Sequence, residues 1–267
     1  MNALKSIALL DSGVGGLTVV KEILKQLPNE RIVYFGDTAR MPYGPRPHQQ
    51  VRNFAMQIID FLQTQDIKLV IVACNSASAA GLSWYQEDVV LPVIGVIEPG
   101  ARAALEHTKT KRIGVIGTTG TINSQAYDRA IIKIDPEVKV FSQECPLFVL
   151  IVENNLIGTR EAKKVAEEYL RPLKEAGIDA LILGCTHYPL LSEVIQEVVG
   201  PEVKLISSAQ ETAREAKEIL TNNDLLNSSR DNTCHHRFFV SASPKTFVEI
   251  GEKLIGMKVK AYQVIMP

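Results

Sequence analysis

Long apolar runs are missing from these 267 residues, and no stretch approaches the roughly eighteen uninterrupted apolar positions of a membrane-spanning helix. The first apolar stretch, in MNALKSIALLDSG, stops at Asp11 and a glycine cluster. It is too brief for a signal-peptide core, so it reads as a first buried strand and the protein as cytoplasmic. Charge of one sign is also lacking: 29 Lys and Arg against 30 Asp and Glu leave a formal net charge of −1. That balance gives no electrostatic footprint for nucleic acid or an anionic membrane surface. Cysteine is sparse and scattered, at Cys74, Cys145, Cys185 and Cys234, with no CxxC pair. This excludes a disulfide framework and points to free thiols. The one cluster with metal-ligand character, Cys234-His235-His236, lies in the polar run NSSRDNTCHHR and reads as a loop, so no metal is expected. No low-complexity segment or long Gly/Ser linker interrupts the chain, and Asn222–Thr233 is the expected mobile loop. A small-molecule role remains.

What is present is a regular alternation. Apolar runs predict strands at Ile7–Leu10, Ile32–Phe35, Leu69–Ala73, Val93–Val96, Ile113–Gly117, Val138–Phe141, Ala180–Gly184, Val203–Ile206, Phe238–Val240 and near Val259–Tyr262. Most are continuous Val/Ile/Leu runs, the mark of parallel strands covered on both faces. Amphipathic stretches between them predict helices at Leu17–Gln26, Gln49–Gln65, Ala77–Gln86, Pro99–His107, Asn123–Ile132, Thr159–Lys174, Pro189–Val198, Gln210–Thr221 and Pro244–Lys253. The class is α/β and doubly wound. Ten strands are many for one sheet at this length, so two sheets are expected.

Two stretches echo one another. KLVIVACNSASAAG and DALILGCTHYPLL each run from a buried strand into a cysteine and then toward a helix. Cys74 and Cys185 are therefore expected at the carboxyl ends of parallel strands, where open α/β sheets bind ligands. A lone cysteine there is usually inert core, but a matched pair, with Asn75 and Ser76 after one and Thr186 and His187 after the other, suggests paired chemistry. A thiol's ordinary pKa of about 8.5 falls toward neutrality at a helix N-terminus or beside an imidazolium, which suits a proton donor and acceptor.

Other segments are more ambiguous. Asp11-Ser12-Gly13-Val14-Gly15-Gly16-Leu17-Thr18 fits neither G-x-G-x-x-G, since Thr18 takes the third glycine position, nor a Walker loop, since G-K-[ST] is missing. It offers a carboxylate and a hydroxyl on a tight turn, or simply a helix cap. The loop Met41-Pro42-Tyr43-Gly44-Pro45 is either a rigid surface turn or an anion site made by N–H groups of Tyr43 and Gly44. Gly117-Thr118-Thr119-Gly120-Thr121 suits a carboxylate at a strand end, or again a cap. Glu153 is either a solvated helix edge or the partner that orients His187. Cys145 reads as core or loop.

DSGVGGLTV, ARMPYGPR, VIVACNSASA, GVIGTTGT and LGCTHYPLL, in that order over nearly the whole chain, resemble the bacterial glutamate racemases; the wider aspartate/glutamate racemase superfamily shares only the cysteine pair and the fold. The resemblance implies interconversion of L- and D-glutamate by two thiols without pyridoxal phosphate or any other cofactor, supplying D-glutamate for peptidoglycan. It implies two similar doubly wound domains, 1–95 with 208–267 and 96–207, around an active site in the cleft between them, and a homodimer. Cys74 and Cys185 would be the opposed acid and base, with Asp11 near Cys74, and His187 and Glu153 near Cys185. Asp11, Ser12, Pro42, Tyr43, Gly44, Asn75, Ser76, Thr118, Thr121, Thr186 and His187 would line the glutamate pocket. The family usually has Thr where this chain has Ser76; the hydroxyl survives, so binding is expected to persist. The rivals are an aspartate racemase or related two-cysteine isomerase, a non-catalytic amino-acid binding protein, and a cysteine hydrolase. The last two leave the second matched thiol unexplained.

Overall fold

The computed structural model describes residues 2–229 and 236–266, so Cys234 and His235 of the suspected metal cluster lie outside the described residues. The chain divides into two compact units, Met1–Val96 with Ala209–Pro267, and Ile97–Ser208. In the first unit come β1 (Ser6–Asp11), α1 (Leu17–Gln26), β2 (Ile32–Gly36), α2 (His48–Gln63), β3 (Ile67–Val72), α3 (Asn75–Asp88) and β4 (Val93–Gly95). The second unit holds α4 (Ile97–His107), β5 (Arg112–Gly117), α5 (Thr119–Asn123), α6 (Ala126–Ile134), β6 (Lys139–Glu144), α7 (Leu147–Glu153), α8 (Arg160–Glu175), β7 (Ala180–Gly184), a 3-10 turn (Tyr188–Leu191), α9 (Ser192–Val199) and β8 (Lys204–Ile206). The chain then returns through α10 (Ser208–Asn222), β9 (Arg237–Val240), α11 (Pro244–Ile255) and β10 (Ala261–Gln263) to finish the first. Among the described residues no helix is long and apolar enough to cross a membrane.

Each unit is built on one parallel sheet. The first has the order β10-β9-β2-β1-β3-β4, the second β6-β5-β7-β8. SIALLD, IVYFG and IKLVIV are buried at every position, as strands covered on both faces must be. The helices pack through single faces. In α8 the buried residues are Ala162, Ala166, Leu170 and Leu173, a spacing of three and four that repeats one side of a 3.6-residue helix. Thr159 caps that helix, its hydroxyl accepting from Ala162 N at 3.2 Å. The α3 backbone breaks regular geometry at Gly81, and Arg52 of α2 donates twice to the Ala80 carbonyl, from Nε at 3.3 Å and Nη2 at 3.0 Å. The carbonyl beside the kink thus has side-chain donors.

One expectation needs correction. The strand predicted at Val138–Phe141 runs on to Glu144, pairing in register with β5 as far as Gly117. It is an edge strand with partly exposed side chains, so hydrophobicity ends before main-chain pairing does. Of the stretch expected as a mobile loop, Asn222–Thr233, Asn222 closes α10, Leu225 and Asn227 are buried and Asn223, Asp224 and Ser228 are exposed, while 230–233 lie outside the described residues.

The anchor of that segment is ionic. Lys68, at the start of β3, pairs with Glu30 at 2.6 Å, both side chains almost wholly out of water. Lys68 Nζ also donates to Ala3 O at 2.6 Å and Leu225 O at 2.8 Å, and Glu30 Oε1 accepts from Asn227 N at 2.8 Å. Burial holds the ammonium below its ordinary range, with Glu30 opposing that shift. Removing one partner strands the other's charge in a dry place, a change that costs about 3–5 kcal/mol. Glu30→Ala is therefore expected to lower unfolding free energy by about that much in urea titration. A loss under about 1 kcal/mol, the range of exposed pairs, would show the pair to be inessential.

Candidate active site

Parallel strands send every strand end to the same edge, and the strand orders then decide which loops meet there. In the first unit β1 lies between β2 and β3, so the segments after these three strands are neighbours: Asp11-Ser12, Asp37–Gly44 and Cys74-Asn75-Ser76. In the second unit β5 lies between β6 and β7, and the neighbours are Thr118–Thr121, the Cys145–Glu153 segment and Cys185-Thr186-His187. Taking each unit's first four strands in chain order, both have the sheet order second, first, third, fourth, and both carry a cysteine after the third. Strand order reverses beside the first strand, the place where a doubly wound sheet opens a crevice for ligand.

In the first unit, Asp11 is wholly buried, and its Oδ2 accepts from Gly13 N and Gly16 N, each at 3.0 Å. The N-cap of α1 is Gly16, with no side-chain cap, so Asp11 holds the glycine turn ahead of the helix, and those bonds fix the carboxylate at the sheet edge. The glycine turn is required by crowding and not by φ: none of Gly13, Gly15 or Gly16 has a positive φ. A Cβ on Gly16 would come 2.5 Å from Asp11 Cβ and 2.8 Å from Tyr34 Oη. Cys74 is the N-cap residue of α3, so its thiol lies at a helix N-terminus, with Ser12 Oγ 3.8 Å from Sγ. Ser78 Oγ, donating to Val72 O at 2.9 Å, ties the first turn of that helix to the strand. Asn75 and Ser76 are its first two residues and both are buried.

The loop after β2 is organised by Asp37, which sequence reading passed over. Its carboxylate is wholly buried and accepts from Arg40 Nε at 2.7 Å, from the Tyr43 hydroxyl, and from Ser241 Oγ at 2.7 Å. Burial, reinforced by the neighbouring Asp37 charge, holds the Tyr43 phenol well above its ordinary range, so Tyr43 stays a hydrogen-bond donor. Arg40 stacks on Phe54, 4.1 Å from the ring centre. Tyr43 and Gly44 are buried and Pro42 is exposed. An acid one residue past a buried strand was a signal available in the sequence, since Asp11 ends β1 in the same way. Ser241, 204 residues from Asp37, had none.

In the second unit, Cys185 Sγ lies 3.8 Å from His187 Nδ1, and His187 Nε2 lies 2.6 Å from Glu153 Oε1. With Nε2 carrying its proton toward the carboxylate, Nδ1 is left to exchange one with the thiol. Of the two readings of Glu153, the partner of His187 is the one realised. Cys185 and Cys74 differ in one respect the sequence concealed. A 3-10 turn, and no α-helix, follows Cys185, and α9 begins only at Ser192. Pro189 enters that turn, and the Tyr188 hydroxyl anchors it on Cys145 O at 2.8 Å. The helix N-terminus serves Cys74, and imidazole takes its place at Cys185. Thr118 Oγ1 accepts from Thr121 N at 3.4 Å as the cap of α5, and Thr118, Thr121 and Thr186 are all buried. Cys145 reaches the same edge, but its side chain is buried, and burial holds its thiol well above the usual range. It is core. Among the described residues no group of three His, Cys, Asp or Glu side chains is arranged to hold a metal.

Residues 9–216 match the family model described as Asp/Glu/Hydantoin racemase. A glutamate racemase from Geobacter metallireducens is 51% identical over 97% of this chain and 96% of its own length. A solved glutamate racemase isoform from Bacillus anthracis superposes with a TM-score of 0.94 at 46% identity, covering 97% of each chain. One from Francisella tularensis, in complex with D-glutamate, gives 0.91 at 38% identity, covering 99% of this chain and 98% of that one.

The crowding at Gly16 yields a stability test. Gly16→Ala forces a methyl against Asp11, and overpacking of this kind costs about 1–3 kcal/mol. Thermal unfolding is expected to show a lowered midpoint; an unchanged midpoint would mean that the turn has room to give.

Proposed function

Because this chain belongs to the Asp/Glu/hydantoin racemase family, we propose that it is an isomerase that interconverts L- and D-glutamate by two-thiol acid–base catalysis. The observation that carries this reading is the duplicated placement of a thiol after the third strand of each unit, at the edge where each sheet's order reverses. The two units are read as the two domains, each contributing one thiol.

Inverting the α-carbon needs a base on one face and an acid on the other. The thiolate of one cysteine takes the α-proton, leaving a carbanion at Cα and a neutral thiol. The thiol of the other delivers a proton to the opposite face and becomes the thiolate. The reverse reaction exchanges the roles. The α-proton is a weak acid, so fixed dipoles and charges must stabilise the developing carbanion. Asp11 and Ser12 assist on the Cys74 side. The Glu153–His187 pair exchanges protons with Cys185. Asn75, Ser76, Thr118, Thr121, Thr186 and the Pro42-Tyr43-Gly44 loop hold the ammonium and the two carboxylates. No step calls for a cofactor or a metal. The same reading makes the protein a cytoplasmic homodimer that supplies D-glutamate for peptidoglycan and has no nucleic-acid partner.

Metal-free and pyridoxal-free protein incubated with L-glutamate in deuterated water is expected to yield D-glutamate with deuterium at Cα. Folded protein giving neither D-glutamate nor deuterium uptake would sink the proposal, and the same assay with aspartate tests the nearest rival. Cys74→Ser and Cys185→Ser should each lower kcat by about 10²–10⁴-fold, the range for one acid–base group. Full activity in either would rule out the two-thiol scheme. Glu153→Gln keeps an acceptor for His187 but removes the charge, and kcat is expected to fall about tenfold, as loss of about 1.4 kcal/mol of transition-state stabilisation would give. An unchanged kcat would confine Glu153 to a structural role.

A further inference from the structure

The segment that returns to the first unit ends β9 at Val240, and its next two residues clasp the loop after β2. Ser241 N donates to Gly36 O at 3.2 Å, and Ala242 N donates to Thr38 Oγ1 at 3.0 Å. The Ser241 hydroxyl does two things: it donates to Asp37 Oδ1 at 2.7 Å and accepts from Ala39 N at 2.8 Å. Asp37 carries the connection onward, since its Oδ2 accepts from Arg40 Nε and the Tyr43 hydroxyl. Ser241 and Tyr43 are two ends of one buried relay with Asp37 between them.

We propose that Ser241 is a positioning residue for substrate binding, acting through Asp37 on the Pro42-Tyr43-Gly44 loop. The inference rests on the glutamate-binding role proposed for that loop. Among the described residues, three side chains donate to the Asp37 carboxylate. Arg40 and Tyr43 belong to the loop itself and fix its internal shape, whereas Ser241 follows a strand of the sheet and fixes where that shape sits. With the hydroxyl gone, the wholly buried Asp37 carboxylate loses a donor and Ala39 N, on the exposed side of the loop, loses its acceptor, so the loop shifts to restore a partner to Asp37. Ser241 clasps the loop after β2, whereas Cys74 follows β3 and Asp11 ends β1, so the proton-transfer groups are carried by other segments. The loss therefore falls on binding.

The equilibrium constant between enantiomers in water is unity, so kcat/KM must fall equally in both directions whatever the cause. The informative readout is its split between KM and kcat. In steady-state assays of L→D and D→L conversion, Ser241→Ala is expected to raise KM about tenfold in both directions, with kcat within about twofold of the parent. Ser241→Thr, which restores the hydroxyl, should recover KM. If Ser241 acts through Asp37, the double variant Ser241→Ala/Asp37→Asn should bind no worse than Asp37→Asn alone. A parental KM in Ser241→Ala, a loss falling wholly on kcat, or additive effects in the double variant would overturn the proposal. Should Ser241→Ala not fold, Tyr43→Phe removes the donor at the far end of the relay: a raised KM supports the relay, and a parental one overturns it. If the parent protein racemises no glutamate at all, the proposed function fails, and that failure is visible before any variant is measured.

Discussion

Every strand pairing in both sheets is parallel, and the placement of the chemistry depends on that constraint. A parallel strand must be followed by a crossover before the next can pair, so all the strand ends of one sheet deliver their outgoing loops to a single edge. When chain order and spatial order disagree, as they do where β1 separates β2 from β3, crossovers leave on opposite faces and the loops between them part. The residues with polar or nucleophilic side chains at such an edge therefore need no proximity in sequence. Asp11, Asp37 and Cys74 are spread over more than sixty positions and still lie at or just past the ends of three adjacent strands.

Burial sets the second condition. Asp11, Asp37 and the Lys68–Glu30 pair are all removed from water, and a charge in that position survives only with hydrogen-bonding partners around it. At Asp37 and at the Lys68–Glu30 pair those partners come from distant parts of the chain, whereas those of Asp11 lie in the turn that follows it. Asp11 gathers the glycine turn, Asp37 gathers its own loop and the residue after β9, and Lys68 with Glu30 gathers the N-terminal residues and the segment after α10. A buried charge is thus a poor source of stability but an effective fixing point for loops, because its partners have few other arrangements that satisfy it. The two at the carboxyl edge of the first sheet hold loops that carry proposed substrate contacts. The Lys68–Glu30 pair sits where β3 begins, at the opposite end of that strand from Cys74.

How much of this was legible in the sequence follows from the range of the interactions. Strands were readable because a doubly covered strand is apolar at every position, and β1, β3 and β7 stand where their Val/Ile/Leu runs are. The matched cysteines were readable because strand, thiol and polar neighbours are contiguous. The extent of β6 was not, since main-chain pairing leaves little mark on side chains at an edge. The different surroundings of Cys74 and Cys185 were concealed for another reason: CNSASA and CTHYPLL both look like helix starts, and only Pro189 with the long-range Tyr188–Cys145 bond makes the second a 3-10 turn. Asp37 was half legible, as an acid past a strand, but what it gathers includes Ser241 from the far end of the chain. Side-chain bonds of that span have no periodicity to betray them.

The unlike surroundings of the two thiols are compatible with a single reversible reaction. One has a helix N-terminus and a serine hydroxyl, the other an imidazole backed by a carboxylate. A racemase does not need matched groups to run equally well both ways: enantiomers have equal free energies in water, so detailed balance makes kcat/KM identical in the two directions however different the bases are. Asymmetry in the site can appear only in the way each direction divides that ratio between kcat and KM. The duplicated strand order gives each unit a thiol in the corresponding place, and nothing in the thermodynamics of racemisation presses the two environments to converge. Each half could be tuned by whatever neighbours its own loops supplied, which is why the fold can repeat while the chemistry around its two cysteines does not.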